Sequence, residues 1–193
     1  MIKIKDYPGT LFLVVGNSGA GKDSIISGVI ANYPATLKKI YSPRRYITRE
    51  ASDTENNISV SPEEYANLDR KGKFALKWHI YGLDYGITIK IDILLKKGDP
   101  VIINVSRTII EKATKKYKNL KVIFISVPID ITIKRLRERG RDYGKYLKKR
   151  IQRARTHQKF PEADAVINNS GDLDNAISKC LDYIIKTEKS NME

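Results

Sequence analysis

The stretch "TLFLVVGNSGAGKDS", residues 10–24, restricts this chain more than any other. Its first half is a short apolar run ending on Gly16, the pattern of a buried strand. Its second half sets Gly16, Gly21 and Lys22 in the spacing Gly-x-x-x-x-Gly-Lys, and Ile25, Ile26, Val29 and Ile30 then recur at helical intervals. Strand, glycine-rich turn and helix in this order make a phosphate-binding loop. The glycines allow close backbone approach, successive N–H groups and the helix N-terminus face phosphate oxygens, and the lysine adds a mobile charge. The expected cofactor contacts are Gly16, Asn17, Ser18, Gly19, Ala20, Gly21, Lys22, Asp23 and Ser24, with Lys22 also catalytic.

The rest of the chain agrees with such a loop. "VIINVS" (101–106), "KVIFISV" (121–127) and "DAVINNS" (164–170) read as further buried strands, the first two each followed by a helical pattern. Ala176, Ile177, Cys180, Leu181, Ile184 and Ile185 share one face of a closing helix. This alternation predicts an α/β domain, a parallel sheet flanked by helices. One domain is expected over 1–193, its core at about 10–41 and 90–187. Residues 42–89 break the rhythm with "SPRRYITREASDTENNISVSPEEY" and "KFALKWHIYGLDYGI", and are expected to form an insertion with its own small sheet and helix. "RERGRDYGK" lies between two basic helices and reads as a lid loop, about 137–147.

Asp23 stands where such loops carry a hydroxyl. An acid in the first turn of a helix suits the macrodipole, yet a carboxylate beside bound phosphates needs a cation between them. Mg²⁺ takes hard oxygens, often one or two carboxylates with water and phosphate. The strand "VIINVS" ends in Asn104, Val105 and Ser106 without an acid. The metal carboxylate is therefore expected at Asp23, with Ser24 as the next hydroxyl.

The 36 Lys and Arg against 22 Asp and Glu, a net charge of +14, imply anionic partners, either nucleic acid or small phosphorylated molecules. A lone cysteine, Cys180, and the lack of a signal sequence or a long apolar run predict a cytoplasmic protein with no membrane span. His79 and His157 lack the partners of a metal site. Trp78 is expected to pack the inserted sheet, Cys180 to be inert core, and Glu63 and Glu64 to open a helix after "SP".

Taken together, "GNSGAGKDS", "RRYITRE", "FALKWHIYGLDYGI", "NVSR" and "RLRERGRD" resemble the ribose 1,5-bisphosphate phosphokinases, guanylate-kinase-like enzymes of phosphonate metabolism. The resemblance runs from about Thr10 to Leu181. It implies a P-loop kinase fold like that of nucleoside monophosphate kinases, ATP and Mg²⁺ as cofactors, and γ-phosphoryl transfer to ribose 1,5-bisphosphate, giving 5-phosphoribosyl 1-diphosphate and ADP. Against the guanylate kinase pattern, Thr48-Arg49 keeps the first acceptor arginine, whereas Ser52 stands where a second would be. Lys77 precedes Trp78 in place of a base-reading Glu. A lysine can only donate, so it cannot accept from a guanine edge. The acceptor side thus looks rebuilt for a phosphorylated sugar, with Arg45, Arg49, Tyr85, Ser106 and Arg107 as substrate contacts and Arg44 and Lys77 as further cations. Ser106 also suits a helix N-cap.

In "ITIKRLRERGRDYGKYLKKRIQRAR", Ile129, Ile133 and Leu136 form an apolar stripe, Arg135 and Arg139 share another face, and Arg150 follows on a helix whose Leu147, Ile151 and Ala154 point inward. This resembles the arginine-bearing lid of nucleoside monophosphate kinases, so Arg135, Arg139 and Arg150 are expected to be catalytic, neutralising the transferred group. The competing readings are a guanylate kinase, a silent guanylate-kinase-like module and a nucleic-acid-binding protein. The last gives no reason for the phosphate loop. The sequence leaves the oligomeric state open.

Overall fold

A run with no polar alternation can serve only a strand shielded on both faces. The computed structural model, which describes residues 4–50, 56–138 and 144–191, shows this for β1 (Leu11–Gly16), where Leu11 to Val15 have no solvent exposure. In chain order there follow α1 (Lys22–Ala31), β2 (Arg45–Ile47), β3 (Asn57–Ser59), α2 (Pro62–Arg70), β4 (Phe74–Ile80), β5 (Leu83–Thr88) and α3 (Lys90–Lys96). The second half holds β6 (Val101–Asn104), a 3-10 turn (Arg107–Ile109), α4 (Ile110–Thr114), β7 (Leu120–Ser126), α5 (Ile129–Glu138), α6 (Gly144–Thr156), β8 (Ala165–Asn168) and α7 (Leu173–Ser190).

The core sheet has the order β6-β1-β7-β8. β7 and β8 run parallel, Ile123 opposite Ala165 and Ser126 opposite Asn168. Past β6, Tyr41 adds one parallel bridge to Val101. The class is the one the strand–helix alternation predicts: a parallel sheet flanked by helices.

The chain divides into two compact units, Met1–Phe12 with Ala35–Leu120, and Leu13–Pro34 with Lys121–Glu193. The first contains the inserted sheet, ordered β3-β2-β5-β4. β4 and β5 form an antiparallel hairpin with Trp78 opposite Tyr85 and His79 opposite Asp84. α2 opens with the capping box that "SPEE" spells, Ser61 and Glu64 each accepting from the other's backbone N–H. In the second unit, α1 packs on α7, where a Cβ on Gly28 would lie 2.3 Å from Cδ1 of Ile177, and it buries Ile25, Ile26 and Val29.

Three details depart from the sequence expectations. Ile30 is exposed, because the helix turns it past the buried face. In α5 the buried positions are Thr132 and Leu136, four apart, while Ile129 and Ile133 are half-buried. On α7 the buried stripe takes in Glu188, with Leu181 and Ile185 only half-buried at its margin.

Candidate functional site

In the second unit, the loop after β1 is shaped by its glycines. Gly19 and Gly21 both take φ of 82°, a left-handed conformation that side chains with a Cβ rarely adopt. Gly21 is also the N-cap of α1 and carries no side-chain cap, so the first N–H groups of the helix are not claimed by a capping side chain. Lys22 folds back over the loop, its Nζ 2.9 Å from the carbonyl oxygens of Gly16 and Asn17. Asp23 and Ser24 follow in the exposed first turn of α1.

Other elements of the same unit brace this loop. α5 lies against Gly19, whose Cβ position is 3.6 Å from Cβ of Arg135 and from Cγ of Leu136. That brings the Cβ of Arg135 beside the loop. From α6, Arg150 donates through Nη1 to Ser18 Oγ at 3.0 Å. Asn17 Nδ2 donates to the His157 carbonyl at 3.0 Å, at the end of α6. Lys22, Arg135 and Arg150, far apart in sequence, thus converge on one loop. Arg139 and residues 140–143 of the expected lid loop lie outside the described residues.

In the first unit, Arg45 is held at the carboxyl end of β6. Its Nε donates to Asn57 Oδ1 at 3.1 Å and its Nη1 to the Asn104 carbonyl at 3.2 Å. Arg44 donates to the Asn57 carbonyl at 2.6 Å. Asn57 comes from "NNIS" and is the partner the sequence reading did not single out. Its β3 pairs in parallel with β2, setting Asn57 opposite Arg45. Arg49 follows β2, its carbonyl accepting from the Ser59 hydroxyl. Ser106 caps the 3-10 turn that starts at Arg107, accepting from the Thr108 N–H at 3.3 Å.

Tyr85 stacks on Trp78, ring centroids 5.2 Å apart and planes within 4°. Its carbonyl accepts from the Tyr65 hydroxyl at 2.8 Å. Burial, then the nearby Asp84 and Asp69, hold the Tyr65 phenol well above its ordinary pKa, so it stays a donor. Side chains alternate along β4, and since Trp78 faces Tyr85, Lys77 faces the other way. Its Nζ donates to both carboxylate oxygens of Asp69 on α2 at 2.7 Å. It forms an exposed ion pair on the face of β4 opposite Tyr85, while the Tyr85 face carries the buried Leu76 and Trp78.

Among the described residues no group of three or more His, Cys, Asp and Glu side chains could hold a metal. Asp23, exposed in the first turn of α1 beside the loop, is a hard-oxygen donor of the kind Mg²⁺ takes together with phosphate and water. No helix among the described residues is long and apolar enough to cross a membrane.

The guanylate kinase family model matches residues 9–187. Ribose 1,5-bisphosphate phosphokinase PhnN of Pectobacterium parmentieri is 39% identical, over 87% of this chain and 89% of its own. The protein of the same name from Rhodopseudomonas palustris is 37% identical over 86% of this chain and 82% of its own. Among solved structures, guanylate kinase from Anaplasma phagocytophilum matches with a TM-score of 0.72 at 17% identity, covering 95% of this chain and 88% of that one.

Proposed function

This chain belongs to the guanylate kinase family and, within it, to the ribose 1,5-bisphosphate phosphokinases, and from that premise we propose that it transfers the γ-phosphoryl group of ATP to ribose 1,5-bisphosphate. The bond from the γ-phosphorus to its bridging oxygen breaks, a bond from that phosphorus to an oxygen of the sugar's 1-phosphate forms, and ADP leaves. The nucleophile is a phosphate oxygen, with a second pKa of about 6, so it is already ionised near pH 7. The protein therefore need supply no general base, which is consistent with a β6 that ends in Asn104 and is followed by Val105 and Ser106 instead of acids. What the reaction demands is charge neutralisation and alignment.

The loop from Gly16 to Ser24, with Lys22, suits a nucleotide's phosphates, and Arg135, Arg139 and Arg150 suit the charge that spreads over the transferred group. Bound at Asp23, Mg²⁺ would neutralise charge on the donor's phosphate oxygens. Arg45, Arg49, Tyr85, Ser106 and Arg107 are assigned to the acceptor. The observation that carries the acceptor assignment is Arg45, fixed by Asn57 and Asn104 at the carboxyl end of β6, where open α/β sheets place their ligands. A forked guanidinium held in one orientation is matched to a phosphoryl group. Lys77, at the position of a guanylate kinase's base-reading Glu, can only donate and offers no acceptor for a purine's N–H groups, which speaks against a guanylate kinase. The reading places the enzyme in the cytoplasm.

The direct test offers Mg-ATP with either ribose 1,5-bisphosphate or GMP and follows ADP. Turnover is expected with the sugar bisphosphate; turnover of GMP alone would overturn the assignment. Arg45→Ala should raise the acceptor KM by tenfold or more, about the worth of one charge-assisted contact, and leave nucleotide Kd within about twofold. A loss of nucleotide affinity instead would place Arg45 on the donor side.

A further inference from the structure

Asn169 lies one residue past β8, among none of the residues assigned above, and is 2% exposed. Its backbone N–H donates to the Ser126 carbonyl at 2.9 Å, which pins it to the end of β7. Its side-chain Nδ2 donates to the carbonyl oxygen of Ala20, inside the phosphate loop, at 2.8 Å. Gly21 packs so closely that a Cβ there would come within 2.4 Å of that nitrogen. The other end of the amide, Oδ1, is buried and accepts no hydrogen bond from the described residues. An unsatisfied buried acceptor costs stability, which a leucine of similar volume would not incur. The N–H end is the half this position needs.

Its effect follows from the peptide unit it holds. The bond between Ala20 and Gly21 is trans and planar, so the Ala20 C=O and the Gly21 N–H point in opposite directions. With the carbonyl turned onto the buried Asn169, the Gly21 N–H is aimed away from it. Glycine tolerates φ of either sign, so rotating this peptide by half a turn would meet little resistance from Gly21 itself. A rotated peptide would present a carbonyl oxygen to an incoming phosphate.

We propose that Asn169 is a positioning residue for the phosphoryl donor. It grips Ala20 and so presets the Gly21 N–H as a donor to a phosphate oxygen. Asn169 does not touch the ligand; it acts through the backbone. The inference rests on the phosphate-loop reading above and deepens it.

The test uses the full chain with inorganic tripolyphosphate, which has no base or sugar, beside ATP. Binding of tripolyphosphate to the wild type checks the underlying reading by itself; no binding would overturn both. Asn169→Leu is then expected to weaken tripolyphosphate and ATP by the same factor, about tenfold for one lost charge-assisted hydrogen bond, with the acceptor KM unchanged. Weaker ATP binding at unchanged tripolyphosphate affinity would make Asn169 a reader of the base, and a lower Tm at unchanged affinities would make it merely structural; either result overturns the proposal. Should Asn169→Leu fail to fold, the wild type still decides. In a ¹⁵N-labelled sample, saturating tripolyphosphate should move the Gly21 amide far downfield and leave the Asn169 side-chain amide in place. A Gly21 amide that does not respond would refute the preset donor.

Discussion

Cys180 is the side chain whose fate was clearest before any coordinates: it lies on the apolar face of α7 with no exposure. Burial pushes its thiol up to about 12 from an ordinary 9.0. Tyr33 is raised to about 12 by burial and then by Glu188. Groups raised on folding keep their protons in the native state while the unfolded chain releases them. Stability is therefore intact below about pH 9 and falls as pH climbs toward about 12. The urea midpoint should drop over that range, and Cys180→Ala should flatten the drop. At neutral pH a thiol reagent should modify Cys180 only after denaturant is added. Lys77 shows the opposite case. Its charge is plain in "FALKWHI", but a strand reverses direction at each residue, and only the register of Trp78 against Tyr85 says which face a neighbour takes. Asn169 was hidden for a related reason: "INNS" holds two adjacent asparagines, and the sequence does not say which one meets the loop.

Elements announced by their own local chemistry were legible: the helix opening after "SP" at α2 and the strand–loop–helix at the start. The β3–β2 pairing was not. It joins "RYI" to "NIS" across a polar segment, and no short-range rule sets Asn57 opposite Arg45. Within the inserted sheet, Tyr46 and Tyr65 both contact Phe74, at 5.8 and 4.7 Å between ring centroids. Gly86 makes room for that ring, since a Cβ would lie 2.4 Å from Phe74 Cε1. Gly86→Ala should displace Phe74 and cost about 1–3 kcal/mol, the usual range for overpacking. A lowered Tm together with a raised acceptor KM is expected, because Tyr85 adjoins the altered position; an unchanged Tm would show that the ring has room to move.

For the whole molecule, +14 is large for 193 residues. Both proposed substrates are polyanions, so the summed field speeds their encounter and fades as salt screens it. Raising NaCl from about 0.05 to about 0.5 M shortens the screening length to roughly a third. The kcat/KM for the acceptor should then fall several-fold while kcat changes little; a salt-independent kcat/KM would mean that the field plays no part in capture. At this scale the sequence conveyed the class through alternation. The order β6-β1-β7-β8 was beyond it, because neighbours in the sheet are chosen by crossover packing and not by any one segment.

The phosphate loop is synthesised early and finished late. Asn17, Ser18 and Ala20 take their shape from His157, Arg150 and Asn169, partners 140, 132 and 149 positions downstream. On the ribosome the glycine turn emerges ahead of all three partners, and it lacks these supports until β8 has left the exit tunnel. Contacts this remote are slow to close and come last in assembly. A nascent chain that has not yet exposed β8 therefore lacks these braces on its phosphate loop, and so does any fragment terminated ahead of that strand.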